Sequence, residues 1–408
     1  MNRIILLVCT VFALFSCDLL NPDVKTDDQT IKLRAGLEKR VVQDNDFAFG
    51  LLKKTMEFSK DENVFISPLS VSVAFGMARY GAAGSTKAGI ETALGMSGLS
   101  DDDLNEYYRV MQSTLPYVDS KTKLSIANSM WCREGFPVKQ SFLDVNAANF
   151  NAYIKTMDFS AAWAKDTINN WCSKKTNGLI KTILEEPIPE EAMLYLVNAV
   201  YFKGLWAKKF DKDDTHEGTF KNEKNVYVPV NMMSMTDTFQ YYADTKAQYL
   251  ELPYGNKSFS MIIILPTGEN TVSSVLEGLE AASLTSVYGK MHESKVMLQI
   301  PRFKVEAKYT LNDMLISMGM ADAFSSSKAD FSGISDIDLY ISQVLHKTYI
   351  TVDEDGTEAA AVTSIGFETT SMPDYPMFYV NKPFIYLIRE RSTGVILFIG
   401  KMGNPAKY

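Results

Sequence analysis

The imidazoles able to serve as a base near neutral pH are few: the chain has only three histidines, His216, His292 and His346. A serine or cysteine hydrolase needs an imidazole beside an activated nucleophile. The chain contains no G-x-S-x-G elbow, no H-E-x-x-H and no G-x-x-x-x-G-K-[ST]. His346 falls inside an alternating apolar stretch, 339–352, where it reads as a hydrogen-bonded structural histidine rather than a base. Asp353, Asp355 and Gly356 imitate the third, fifth and sixth positions of a calcium loop. Such a loop needs an acid at its first position and a glutamate at its twelfth, and here those are Thr351 and Val362. Calcium is rejected, no other metal-ligand spacing exists, and neither a cofactor nor an enzyme is expected.

Chemistry done to the chain, rather than by it, has a better candidate. Residues 354–373 read EDGTEAAAVTSIGFETTSMP. Taken alternately from Thr357, one set is Thr357, Ala359, Ala361, Thr363, Ile365, Phe367 and Thr369, small or apolar throughout. The other is Glu358, Ala360, Val362, Ser364, Gly366, Glu368 and Thr370, and it holds both glutamates. Side chains alternate between the faces of a strand, so this segment could lie in a sheet above a hydrophobic core. Gly356, Gly366, the alanine run and the closing Met372-Pro373 suit an exposed loop equally well. An edge strand followed by a turn is the plain alternative.

Composition allows a large core. The chain has 408 residues, 46% of them apolar and 12% aromatic, which excludes a disordered composition. Net charge is −8 and the pI is near 5.2, with no cluster of Lys and Arg to offer a nucleic acid. Arg3 precedes an apolar run, residues 4–15, too short to span a bilayer, so residues 1–16 are expected to be a signal peptide. The run ends Leu14-Phe15-Ser16-Cys17, which resembles a bacterial lipoprotein signal with Cys17 as the lipidated residue. An ordinary cleaved signal peptide is the alternative. Residues 17–36 are expected to form a lipid-anchored tether, and 37–408 a single domain at the cell envelope or secreted. Cys9 would leave with the signal, and Cys132 and Cys172 then read as buried small hydrophobes rather than a disulfide framework.

The elements that must position the 354–373 stretch can be placed by periodicity. A helix is expected from Asp46, where Phe47, Leu51, Thr55 and Phe58 share a face. A short strand runs into Ser67, an N-cap followed by Pro68 at the first helical position. Ser85-Thr86-Lys87 opens a further helix, and Ser100 with Asp103 opens another. Residues 124–132 alternate as a strand, and 139–150 and 165–183 read as helices, the second broken near Gly178. The run 193–202 is apolar enough for a central strand covered on both faces. Beyond it, strands are expected at 226–233, 239–242, 249–252, 258–265, 296–301, 339–352, 378–380, 384–389 and 395–401, with helices near 272–279 and 311–318. With no repeat or low-complexity linker, this is one α+β domain.

Five ordered blocks make the reading specific: NVFISPLS at 63–70, NAVYFKGLW at 198–206, ADFSGI at 329–334, DEDGTEAA at 353–360 and KPF at 382–384. From about residue 37 to 404 the chain resembles the serpin family. The resemblance implies three sheets, about nine helices and an exposed reactive loop over 354–370. It further implies an irreversible suicide-substrate inhibitor, in which a protease cleaves the loop, forms an acyl-enzyme and is trapped as the loop inserts into the large sheet. Such a mechanism needs a metastable native fold and a monomer whose partner is the protease. Glu354, Gly356, Thr357, Glu358, Ala359, Ala360 and Ala361 match the family's loop hinge. Ser67, Ser70, Asn198 and His346 match its sheet-opening cluster, Trp206 the aromatic at the top of the sheet, and Arg302 the basic residue facing Glu354. Counting seventeen residues from Glu354 places the reactive bond between Thr370 and Ser371, which suits elastase-like or subtilisin-like enzymes. Cleavage after Thr369 or Phe367, a papain-like target, and a non-inhibitory binding or chaperone role remain as alternatives.

Overall fold

The apolar run at 193–202 becomes the strand Leu194–Leu205, the middle of a six-stranded sheet in the computed structural model, which describes residues 30–96, 98–357 and 375–407. Across this sheet lie Phe303–Thr310, Gln343–Val352, Leu194–Leu205, Thr122–Arg133 and Tyr153–Met157, with the two-residue strand Gly356–Thr357 set between the second and third. The even-numbered residues of Leu194–Leu205 face the main core with Leu194, Leu196, Val200 and Phe202. The odd-numbered Tyr195, Val197 and Ala199 face a second apolar cluster. That cluster is closed by the helix Ala164–Lys175, through Ala164, Ile168 and Cys172. Both faces are therefore dry, which is why no polar alternation marked this strand in the sequence.

Beneath the sheet runs the helix Pro68–Arg79, all twelve residues of which are buried. Its start follows the Ser67-Pro68 signature, since Pro pre-sets the helical φ and spares an N–H that would have no partner. Ser67 occupies the N-cap position without capping, for its hydroxyl donates instead to the Leu397 carbonyl at 2.7 Å. Ser100 does cap Asp101–Thr114, with reciprocal backbone–side-chain bonds to Asp103. The first helix, Glu38–Ser59, begins eight residues before Asp46 and leaves Phe58 42% exposed. Its extra turns carry Arg40 and Asp44, a fully buried ion pair of 2.5 Å that the apolar pattern could not reveal.

Nine further strands form one hydrogen-bonded array. Residues 226–233 and 239–242, expected as two strands, are one strand of 17 residues, Tyr227–Ala243. Its first part pairs His216–Lys221, its last part Ala247–Pro253, and His292–Pro301 pairs along the length between. This one strand serves two subsheets, and with the six-stranded sheet they make up, among the described residues, a three-sheet architecture with nine α-helices. The strand Phe303–Thr310 was not anticipated, although its burial alternates perfectly. The helix expected over 165–183 stops at Lys175. Cys132 and Cys172 are free and buried, and burial pushes both thiols up to about 12.

Residues 30–36, the end of the expected tether, lie against the body. Ile31 is buried in the main core, and Arg34 pairs with Asp103 at 2.5 Å and Glu106 at 2.8 Å.

Candidate functional site

Two neighbouring strands part at one end of the six-stranded sheet. Over Gln343–Tyr349 the strand Gln343–Val352 pairs directly, in parallel, with Tyr195–Tyr201. Further along, the chain turns back and wedges Gly356–Thr357 between them. Thr357 stands opposite Val352 on one side and Gly204 on the other, while Gly356 stands opposite Leu205. Thr357 is fully buried, and its hydroxyl lies 2.8 Å from the Tyr254 hydroxyl. Gly356 is required here: a Cβ would come within 2.2 Å of the Gly204 carbonyl oxygen.

The turn that delivers this wedge is held on all sides. Trp206 donates its indole N–H to the Asp353 carbonyl at 2.8 Å and its backbone N–H to the Asp355 carbonyl at 3.0 Å. Its ring stacks on Tyr254 with centroids 4.4 Å apart. The Asp353 carboxylate accepts the backbone N–H groups of Asp355 and Gly356 at 3.0 and 3.2 Å. Lys209 and Lys212 reach Asp355 at 2.7 and 3.1 Å and hold its carboxyl below the usual range. The Glu354 carboxylate is 2% exposed and accepts from Arg302 Nε and from the Thr215 hydroxyl, each at 2.5 Å. Breaking a buried pair costs about 3–5 kcal/mol because one charge is left without a partner. Arg302 is a quarter exposed, so Arg302→Ala is expected to cost less, about 2 kcal/mol. A drop in thermal midpoint, with Arg302→Lys recovering only part of it, would be the readout. Lysine cannot reproduce the guanidinium fork.

Below the wedge a polar line crosses the apolar underside of the sheet. Asn128, Asn198 and His346 are register partners on three adjacent strands. His346 donates from Nδ1 to Asn198 Oδ1 at 2.6 Å and accepts the Ser67 backbone N–H on Nε2 at 3.0 Å. Asn198 donates from Nδ2 to Asn128 Oδ1 at 2.5 Å and also to the Ser70 hydroxyl. Ser67, Ser70, Asn198 and His346 are thus one buried network, tying the helix beneath to the two strands that would have to separate. The neutral tautomer is required, since Nε2 must accept, and burial drives the imidazole pKa down to about 3. Between that value and the unfolded value near 6.5, the unfolded chain binds a proton that the folded chain does not. Stability is therefore expected to fall as pH drops below about 6.5, by roughly 1.4 kcal/mol per unit from this group. Denaturant midpoints between pH 7 and 4 test this, and His346→Gln should flatten the slope.

This arrangement suits a sheet built to accept one more strand. Residues 42–405 match the family model described as Serpin (serine protease inhibitor). The chain belongs to the serpin family. It is 36% identical over 368 residues to Serpin B6 of Macaca fascicularis, covering 88% of this chain and 97% of that one. It is 37% identical over 381 residues to an uncharacterized serpin-like protein of Thermococcus kodakarensis, covering 91% and 88%. Among solved structures, the thermophilic serpin tengpin in its native state superposes with TM-score 0.83 at 35% identity, covering 93% of this chain and 96% of that one. Thyroxine-binding globulin in complex with thyroxine superposes with TM-score 0.83 at 29% identity, covering 90% and 100%.

In this serpin, Glu354, Gly356, Thr357, Trp206 and Arg302 meet at the parted end of the sheet. The remaining hinge positions Glu358, Ala359, Ala360 and Ala361, the Thr370–Ser371 bond and Cys17 lie outside the described residues. Tyr254, Thr215 and Asn128 were missed. Asn128 carried a readable signal, a lone amide in the inward row Leu124, Ile126, Asn128, Met130, Cys132. Tyr254 and Thr215 carried none, because each comes from a segment remote in sequence.

Proposed function

We propose that this serpin is an irreversible suicide-substrate inhibitor of serine proteases with elastase-like or subtilisin-like preference. The observation that carries the reading is Thr357, already buried and hydrogen-bonded between the two strands that must part. Its burial sets the phase of everything after it. With Thr357 facing the core, entry of the following segment as a strand would by period-2 alternation turn Ala359, Ala361, Thr363, Ile365, Phe367 and Thr369 inward and leave Glu358 and Glu368 outward. Insertion then buries no unpaired carboxylate, the event that would block it.

The chemistry belongs to the protease. Its serine oxygen adds to the Thr370 carbonyl carbon, and the bond to the Ser371 nitrogen breaks. Ser371 leaves as a new amino terminus, carrying the proton donated by the protease's general acid. The resulting ester is hydrolysed unless loop insertion first drags the enzyme away and distorts its site. The inhibitor's task is speed, and a hinge already seated shortens the delay before insertion starts.

Incubation with an elastase, a subtilisin, a chymotrypsin and a papain-like enzyme tests this. A denaturant-resistant covalent complex with a serine enzyme, and a released fragment beginning at Ser371, is the expected result. Clean cleavage without a complex would sink the inhibitor reading in favour of a non-inhibitory role, and a complex with the papain-like enzyme alone would reassign the target class. We further propose export with a lipid anchor at Cys17. Labelled palmitate should enter the wild-type chain and not Cys17→Ala.

A further inference from the structure

We propose that Asp119, remote from the loop in sequence, is the positioning residue for the seat of Thr357, because its carboxylate grips both structures that wall that seat. Asp119 is 1% exposed and stands between the helical turn Leu115–Tyr117 and the strand Thr122–Arg133. Two routes lead from it to the slot.

The first runs through the sheet. Asp119 Oδ1 accepts the Lys121 backbone N–H at 2.8 Å, and Oδ2 accepts the Thr122 hydroxyl at 2.6 Å. The Thr122 backbone N–H adds a bond of 3.1 Å to the Asp119 carbonyl. The first residue of the strand is thereby fixed. Thr122 is the register partner of Gly204, and Gly204 is in turn the partner of Thr357.

The second route runs through the turn at 254–258. The Asn256 backbone N–H donates to Asp119 Oδ2 at 3.3 Å. The Asn256 side-chain amide and the Ser258 hydroxyl both donate to the Val118 carbonyl, at 2.8 and 3.0 Å. This turn carries Tyr254, whose hydroxyl meets Thr357 and whose ring stacks on Trp206. The turn is shaped around the carboxylate: at Gly255, where φ is +47°, a Cβ would fall 2.0 Å from Asp119 Oδ2. The two routes also touch each other, since a Cβ at Gly204 would meet the Tyr254 ring at 2.9 Å. They close into one circuit of contacts around Thr357.

A buried carboxylate is costly unless its donors stay in place, so Asp119 penalises drift of the strand end and of the turn together. A purely local cap accounts for the Lys121 and Thr122 bonds and leaves the Asn256 bond and the close approach of Gly255 unexplained. Without the carboxylate the seat loosens, Thr357 leaves it more readily, and insertion starts later while the ester is being hydrolysed. That consequence rests on the inhibitory reading; the positioning does not.

The experiment uses the full chain labelled with ¹⁵N-tryptophan, which has four indole signals, from Trp131, Trp163, Trp171 and Trp206. Asp119→Ala is expected to displace the Trp206 signal and leave the other three in place. Ser100→Ala, which removes the cap of Asp101–Thr114, should lower the thermal midpoint and leave Trp206 unmoved. Gly255→Ala should displace Trp206 as Asp119→Ala does, and should cost less midpoint when added to Asp119→Ala than when made alone, because the oxygen it strikes is gone. If Asp119→Ala does not fold, Asp119→Asn, which retains one acceptor oxygen, and Gly255→Ala carry the same readout. An unmoved Trp206 in the Asp119 and Gly255 variants, or an equal displacement in Ser100→Ala, would overturn the positioning role and leave Asp119 a local cap. With a protease that forms the complex, Asp119→Ala should raise several-fold the number of chains cleaved per enzyme trapped, at an unchanged rate of first cleavage. A displaced Trp206 with unaltered partition would overturn its part in trapping. If no protease forms a complex, the inhibitory reading fails, while the indole signals still decide the seat.

Discussion

Thr357→Arg is expected to turn the trap proposed above into a substrate, with cleavage retained and the covalent complex lost. The slot that holds Thr357 has no room for charge: the residue is fully buried, flanked by Val352 and Gly204, and bonded to the Tyr254 hydroxyl. None of these partners among the described residues is a carboxylate, so a guanidinium there would be buried beside no countercharge from them, at a cost of several kcal/mol. Each 1.4 kcal/mol on the insertion barrier is a tenfold change in rate, so insertion should slow by about two to three orders of magnitude. Hydrolysis of the ester then wins. Complex and cleaved chain, resolved on a denaturing gel at fixed protease, give the partition directly. Thr357→Ser keeps the hydroxyl, loses only one methyl and should trap nearly as well. Unaltered trapping by Thr357→Arg would remove the insertion argument.

Asp44→Ala should produce the largest loss of stability. Asp44 Oδ1 accepts from Arg40 at 2.5 Å and from the Ser72 hydroxyl at 2.6 Å, and Oδ2 accepts from the Tyr107 hydroxyl at 2.6 Å. Arg40 is fully buried; its Nη1 donates to the Leu94 carbonyl and the Gln43 side chain, and its Nη2 also to the Ser72 hydroxyl. Removing the carboxylate strands a guanidinium in the core and costs about 3–5 kcal/mol, a large fraction of the 5–15 typical of a folded domain. Thermal unfolding should show the loss, and the double variant Arg40→Met with Asp44→Leu should recover most of it. A buried ion pair often contributes little over a well-packed apolar replacement. Failure of the double variant to recover would mean that the three helices need the network for their register.

How much of this could be read beforehand depended on whether a signal was local. The turn that seats Gly356 and Thr357 lies in one short stretch whose pattern could be read, while the alternation after them falls outside the described residues. Phe303–Thr310 was equally legible, with burial alternating at every position, and was passed over because it follows another strand after Arg302 alone. The split of Tyr227–Ala243 into two came from its central Ser234, Thr236, Asp237 and Thr238, polar residues that a strand serving two subsheets tolerates. Ser67 shows the opposite case: residue type located the helix start, while the hydroxyl went to a carbonyl 330 residues away. The Glu354 partners Arg302 and Thr215 come from different strands and loops, and only the resemblance, not any spacing, brought Arg302 to notice.

On the insertion proposed above, the seven register pairs that close the sheet below Thr357, from Tyr349 opposite Tyr201 to Gln343 opposite Tyr195, would form the arm ahead of a movable fork. Each further residue that enters displaces one parallel pair and acquires antiparallel neighbours on both sides, as one strand replaces another during branch migration. Such a fork has no need to nucleate, since its first step has been taken, and its position is a coordinate that exchange can record. Amides of the entering segment should gain protection in sequence onward from Thr357, so that hydrogen exchange, quenched at intervals after cleavage, would read the progress of the proposed insertion residue by residue.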